Sequence, residues 1–338
     1  MKDRYSRQER FDKIGKEGQQ KIFHTSVCII GAGALGASSS EMLVRAGIQR
    51  VTIIDRDLIE WTNLHRQLLY SEQDVIDQLP KAVAAEKRLK AINRQVEVRG
   101  IVADITTKNV IECIEGHDLV IDATDNIETR LLVNDAAIKL NIPFFMGACV
   151  GSYGLTFPIG IHEDEPCLHC LLETLPSQSL TCDTVGVINP IVVTVAARQV
   201  AQVLKFIAEG TLKPKLETTD VWTGERATID VLPLKKPNCP TCSEQPTYPF
   251  LTAEDAVNYA VLCGRDTVQL SWPAHRRIDV ETFVQAATPL VSNLKRNAHL
   301  VVCEFEQHRL VFFKDGRMFI HGMKDVTEAR KLVTKILG

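Results

Sequence analysis

Residues 27–47 read VCIIGAGALGASSSEMLVRAG: an apolar run, a glycine pattern, then apolar residues at helical spacing. Gly31, Gly33 and Gly36 form G-x-G-x-x-G. Between a strand and a helix, such a turn lets the backbone approach phosphate closely, and the helix N-terminus attracts the charge. Asp55 ends the next apolar run, VTIID, where a carboxylate can accept from ribose hydroxyls. Together these residues predict a nucleotide site, the alternative being a tight turn with no ligand. No G-K-[ST] closes the glycine turn, so it is not a Walker loop with its own lysine and magnesium hydroxyl. A triphosphate would need its charge met from elsewhere in the chain. On the glycines and Asp55 alone, an NAD-dependent oxidoreductase stays open.

Outward from that stretch, apolar β-rich runs recur at 26–30, 51–55, 96–102, 118–124 and 144–150. Between them, the residues after Gly33 into Ala46, Pro80 to Ile92 and Glu128 to Leu140 carry apolar side chains at three-and-four spacing. This alternation predicts an α/β fold, Rossmann-like, with a mostly parallel sheet and helices on both faces. Past Val150, an extended stretch from Tyr153 to Ile161, an apolar helix from Pro190 to Ile207, and short strands at 219–222 and 227–231 complete it. After KKPNCPTCSEQPTYP, the pattern reads as a helix at 253–260, a strand at 267–270, a helix at 280–287, strands at 300–305, 308–313 and 318–321, and a closing helix at 326–337. Lys314-Asp315-Gly316 marks a hairpin. The expected division is a main domain over 1–246 and a small C-terminal α+β domain over 247–338.

A chain of 338 residues with a formal net charge of -3 has room for both, and offers no electrostatic footprint for nucleic acid. The N-terminus, MKDRYSRQER, is polar where a secretory signal is apolar, and no later apolar run approaches membrane-spanning length. The expectation is a soluble cytoplasmic protein with no membrane or nucleic-acid partner.

Candidate phosphate ligands follow Asp55. Asn63 and Arg66 lie three apart and would share a helical face, and Lys81 follows Pro80 at a helix start. Taken singly, Arg66 and Lys81 read as solvated surface charges. Asp122, Asp125 and Asn126, in DATDN, end the fourth strand at the sheet's carboxyl edge, where Asp125 could hold magnesium. Of ten cysteines, Cys167 and Cys170 form one C-x-x-C knuckle and Cys239 and Cys242 a second. Four thiolates suit a closed, structural zinc site, with two redox pairs or unpaired thiols as alternatives. Cys28, Cys113 and Cys149 lie in apolar runs and read as core, while Cys263 and Cys303 point to nothing by themselves.

RYSRQ, GAGALG, IIDRD, TNLHRQ, LPK, DATDN, the two C-x-x-C pairs and TCDTVGV together resemble the MoeB/ThiF/HesA adenylyltransferases, relatives of the ubiquitin-activating enzymes, over roughly the first 245 residues. The resemblance implies ATP- and magnesium-dependent adenylation of the C-terminal glycine carboxylate of a ubiquitin-like sulfur-carrier protein, ThiS-like or MoaD-like. Pyrophosphate would be released, and the pathway would be thiamine or molybdenum-cofactor synthesis. It places Gly31, Gly33, Ala34, Gly36, Asp57 and Gln67 at the nucleotide, Asp55 on the ribose, and Asn63, Arg66 and Lys81 on the phosphates. Asp125 would bind magnesium, Asn126 would frame the nucleotide, and the four knuckle cysteines would bind zinc. Arg7 resembles an arginine that reaches the partner's active site, which implies a homodimer. Cys182, by itself most often a small buried hydrophobe, matches a cysteine that receives the acyl group or takes part in sulfur transfer. Ala34 stands where glycine is frequent. The terminal domain lacks the cysteine-headed anion loop of the rhodanese found in some eukaryotic relatives. Other relatives adenylate a modified tRNA base, but the knuckles and TCDTVG resemble the carrier branch.

Overall fold

The computed structural model describes residues 4–172, 185–252, 259–261, 266–272 and 278–337. Its contacts separate two units, Met1–Ala253 and Glu254–Gly338.

In the first unit, α1 (Ser6–Glu9) and α2 (Gly15–Phe23) precede β1 (Ser26–Ile30). Then come α3 (Ala34–Ala46), β2 (Arg50–Asp55), α4 (Glu72–Ile76), α5 (Lys81–Ile92), β3 (Glu97–Val102), α6 (Val110–Ile114) and β4 (Leu119–Asp122). They are followed by α7 (Ile127–Lys139), β5 (Phe144–Val150), β6 (Tyr153–Ile159) and α8 (Leu168–Leu172). Last are α9 (Asn189–Glu209), β7 (Lys215–Asp220), β8 (Arg226–Asp230) and α10 (Pro249–Thr252). The strands form one sheet in the order β3-β2-β1-β4-β5-β6-β7-β8. β1 to β5 run parallel and β6 to β8 antiparallel, so the sheet is mostly parallel, as the alternation predicts.

Alternation along the buried strands sorts the core into two layers. Val27, Ile29, Val51, Ile53, Leu119 and Ile121 pack with residues of α3, α5 and α9. Cys28, Ile30, Ile54, Val120, Phe144 and Met146 pack with α6, α7 and α8. Helices therefore cover both faces.

Three expectations change. α9 spans 21 residues and contains an 18-residue window of mean hydropathy 1.5, so among the described residues one helix is long and apolar enough to cross a membrane by length and composition. Half of its apolar window is buried in the fold, where Val195, Ala196, Val200 and Val203 join the core. The strand expected at 219–222 lies earlier, at β7, because its buried Thr218 and Thr219 carry no apolar signal. Asp220 Oδ1 accepts from Trp222 N at 2.8 Å and ends the strand.

In the second unit, β9 (Tyr259–Val261), β10 (Thr267–Ser271), α11 (Val280–Ala287), β11 (Ser292–Arg296), β12 (Leu300–Phe305), β13 (His308–Phe313), β14 (Arg317–His321) and α12 (Val326–Leu337) follow in order. The antiparallel sheet runs β11-β12-β13-β14-β10-β9. Phe283 stacks on Phe312 with ring centroids 4.3 Å apart, in a core shared with Leu310, Ile320, Leu332 and Ile336. The third change is here: of the helix expected at 253–260, residues 253–258 lie outside the described residues, and Tyr259 and Ala260 belong to β9. β11, SNLKR, had no apolar alternation to announce it; pairing with β12 makes it a strand.

Candidate functional site

β1 has β2 on one side and β4 on the other, so the chain leaves the two sides in opposite directions and opens a crevice at the strands' carboxyl ends. Gly31, Asp55 and the DATDN stretch all emerge there.

The three glycines differ in what demands them. Gly31 has φ +96°, and a Cβ on it would lie 2.6 Å from the Ala123 carbonyl oxygen. A Cβ on Gly36 would collide with the Gly31 carbonyl oxygen, so both positions are fixed by the chain's own packing. At Gly33 the nearest atom would be Gln67 Nε2, at 3.9 Å. Gly33 is the N-cap of α3 and provides no side-chain cap, leaving space and backbone donors for an anion. Ala34 opens the helix beside it. The Ala32 peptide is held from both sides: its N–H donates to Asp55 Oδ2 at 2.7 Å, and its carbonyl accepts from the buried Tyr70 hydroxyl at 2.6 Å.

Asp55 also accepts from Asp57 N at 2.7 Å. Burial pushes its carboxyl up, against the pull of Lys81. Lys81, at the first position of α5 after Pro80, is 2% exposed and its Nζ lies 2.9 Å from Asp57 Oδ2. This corrects the reading of Lys81 as a solvated charge: paired with Asp57, it is held under the crevice.

The helical face expected for Asn63 and Arg66 is not formed. The segment makes a single 3-10 turn, Trp61–Asn63, in which Asn63 is buried and its Oδ1 accepts from Glu60 N at 3.1 Å. Arg66 lies half-buried beyond it and donates from Nη1 to Thr62 O at 2.7 Å. Gln67, 3% exposed, has a buried Oε1 with no hydrogen-bond partner among the described residues.

The two aspartates of DATDN play different parts. Asp122 is fully buried, 2.6 Å from Arg130 Nε, and accepts from Thr124 N and Oγ1 at 2.9 and 2.6 Å. Asp125 is exposed, beside the α7 cap formed by Asn126, whose Oδ1 accepts from Thr129 N at 2.8 Å. Arg7 is exposed on α1. Tyr5 and Gln8 secure that short helix, the tyrosine hydroxyl accepting from Asn93 Nδ2 at 2.8 Å and Gln8 Nε2 donating to Gln19 Oε1 at 2.7 Å. Cys182 lies outside the described residues, as does Cys263. Sequence reasoning passed over Tyr70 and Arg130. The second had a signal, since an arginine four residues after Asn126 sits one helical turn from the cap.

Cys167, Cys170, Cys239 and Cys242 bring their sulfurs within 4.8 Å of one another. The Cys167–Cys239 and Cys170–Cys242 separations are 3.6 Å. Tetrahedral zinc at about 2.3 Å from each sulfur requires separations of about 3.8 Å, so the four donors fit that ion. α7 braces both knuckles: Asn134 Oδ1 accepts from Leu168 N at 3.0 Å and Asp135 Oδ1 from Thr241 Oγ1 at 2.6 Å. Lys235 Nζ donates to the carbonyls of Glu163, Glu165 and Cys242. Of the three cysteines expected in the core, Cys28 is buried, whereas Cys113 and Cys149 are only half-buried; Cys303, which carried no expectation, is buried.

Residues 5–241 match the ThiF family. The chain is 46% identical over 338 residues to the sulfur carrier protein ThiS adenylyltransferase of Bacillus subtilis (strain 168), with 100% of both chains covered. It is 36% identical over 269 residues to a sulfur carrier protein adenylyltransferase of Thermus thermophilus, covering 78% of this chain and 96% of that one. With the adenylyltransferase and sulfurtransferase MOCS3 of Anopheles gambiae it shares 37% identity, over 77% of this chain and 58% of the relative. Among solved structures, E. coli MccB with ATP gives a TM-score of 0.61 at 23% identity, covering 71% of this chain and 74% of that one, a likeness of fold.

Proposed function

The chain belongs to the ThiF family, and we propose that it adenylates the C-terminal glycine carboxylate of a ThiS-type sulfur-carrier protein in the cytoplasm, for thiamine synthesis. The observation that carries this reading is the 46% identity to a ThiS adenylyltransferase along the full length of both chains. An NAD-dependent oxidoreductase accounts for the glycines and Asp55, but gives no work to the buried Lys81–Asp57 pair.

In this reading, ATP lies with its phosphates over Gly33 and the N-terminus of α3, beside Ala34 and Gln67, and Asp55 accepts from the ribose. Lys81 exchanges Asp57 for phosphate oxygens, Arg66 and Asn63 add donors, and Asn126 frames the nucleotide. Magnesium, held by Asp125 and phosphate oxygens, would offset charge on the departing pyrophosphate. A carrier carboxylate oxygen bonds to the α-phosphorus, the bond from that phosphorus to the bridging oxygen breaks, and pyrophosphate leaves with the electron pair. The carboxylate is already ionised, so the chain's contribution is alignment and neutralisation of like charges rather than base catalysis. We further assign Arg7 to the partner's site in a homodimer, zinc to the four-cysteine cluster as a structural ion, and Cys182 to acyl or sulfur transfer.

The test is carrier-dependent exchange of pyrophosphate into ATP, with a ThiS-type and a MoaD-type carrier assayed separately. Exchange with the ThiS-type carrier is expected, abolished in Arg66→Ala and lowered about a hundredfold, to a still measurable rate, in Asp125→Ala. Exchange with the MoaD-type carrier alone would move the substrate to the molybdopterin branch. No exchange with either would overturn the mechanism.

A further inference from the structure

We propose that Arg130 is a positioning residue that holds the loop between β4 and α7, and with it Asp125, at the carboxyl end of the sheet; the proposal rests on the adenylation reading above. Arg130 lies one turn into α7, after the Asn126 cap. A cation near a helix N-terminus opposes the macrodipole, so compensation is expected in what it touches. Its side chain, 12% exposed, folds back over the end of the sheet. Nε lies 2.6 Å from the fully buried Asp122 Oδ2. Nη2 donates to the Thr124 carbonyl at 2.6 Å and to the Gly147 carbonyl of β5 at 3.2 Å.

The result is a loop fastened at both of its ends. Thr124 is held through its N–H and hydroxyl by Asp122 and through its carbonyl by Arg130. Asn126 is held by Thr129 N. The residue between them is Asp125, the exposed carboxylate of the set. Gly147 ties the same guanidinium to the neighbouring strand, so the loop's position is referred to β5 as well as β4. A planar fork can serve a carboxylate and two carbonyls together, whereas an ammonium on a flexible stem cannot reproduce that geometry.

Arg130→Lys keeps the charge and removes the fork. In carrier-dependent pyrophosphate exchange by the full chain, we expect kcat to fall about tenfold or more while KM for ATP stays within about threefold, and half-saturating magnesium to rise. Combined with Asp125→Ala, the same change should cost little beyond Asp125→Ala alone, because both act through one carboxylate. Losses that multiply, or a KM that rises with kcat unchanged, would overturn the assignment. Amide hydrogen exchange at 124–126 in the free protein reads the loop without any turnover. Faster exchange there in Arg130→Lys, with the β1 and β2 amides unchanged, is expected, and protection equal to wild type would overturn the proposal. A wild-type chain that exchanges no pyrophosphate would sink the adenylation reading, while the amide measurement still decides the positioning role.

Discussion

Glycine positions in one motif can be required for different reasons, and the distinction predicts different phenotypes. Gly36→Ala drives a methyl into the Gly31 carbonyl, so it should cost about 3 kcal/mol or more of stability. Gly33→Ala meets only the Gln67 amide, at 3.9 Å, so its unfolding free energy should stay within about 1 kcal/mol of wild type while KM for ATP rises about tenfold. Thermal melts beside exchange kinetics separate the two, and equal destabilisation would refute the distinction. At Asp122, burial raises the carboxyl above its ordinary range while Arg130 and Thr124 pull it down. A carboxyl raised in the folded state contributes stability that is complete below its unfolded pKa and is lost as pH rises through the folded value. Arg130→Met removes the countercharge and raises it further, so this variant should lose more stability at about pH 8 than at about pH 5. Urea midpoints at the two pH values check this; a loss independent of pH would mean that Asp122 is not ionised beside Arg130. Lys81 shows the limit of reading single residues. Its charge is plain in the sequence, but its burial depends on Asp57, 24 positions away.

Elements with strong periodicity were legible and those with polar edges were not. β1, β5, α11, β12, β13 and α12 lie where the apolar patterns put them, because each has a buried face that repeats at two or 3.6 residues. β7 and β11 are pairings of polar segments with an existing neighbour, so their cause lies in another strand. Asn63 and Arg66 have helical spacing, but the 3-10 turn closes at Trp61–Asn63, where Asn63 Oδ1 accepts from Glu60 N, and Arg66 lies beyond it. The cysteine knuckles show the reverse case. Their spacing announced thiolate ligands, and the brace from α7 is visible only in the fold. Cys239→Ser, or exposure to a strong chelator, should release about one zinc per chain and lower Tm by roughly 10 °C or more, with ATP affinity of the remaining folded protein little changed. Metal analysis beside melting curves tests this, and a metal-free wild-type protein of unchanged Tm would refute a structural zinc.

For the whole molecule, the proposed exchange of Arg7 between protomers has a distinctive consequence. Arg7→Ala and Lys81→Ala should each abolish pyrophosphate exchange. Mixed in equal amounts and allowed to reassort, they should recover roughly a quarter of wild-type activity, because half the dimers are hybrid and one of the two sites in each hybrid carries no substitution. No recovery after verified reassortment would place Arg7 in its own protomer's site. The alternation of apolar runs determined the fold class, the order of motifs from RYSRQ to DATDN determined the family, and the glycine turn with Asp55 marked the crevice as the candidate nucleotide site. Those features are local: strand periodicity, a turn's need for glycine, and an acid at a strand end are each written within a few residues. Only the tertiary structure decided that Lys81 is stored on Asp57, that Asp122 is structural where Asp125 is exposed, that four distant sulfurs converge to zinc spacing, and that Arg130 fastens the loop between them. Each of these depends on burial and on partners supplied by other strands and helices, and neither is encoded at the residue itself.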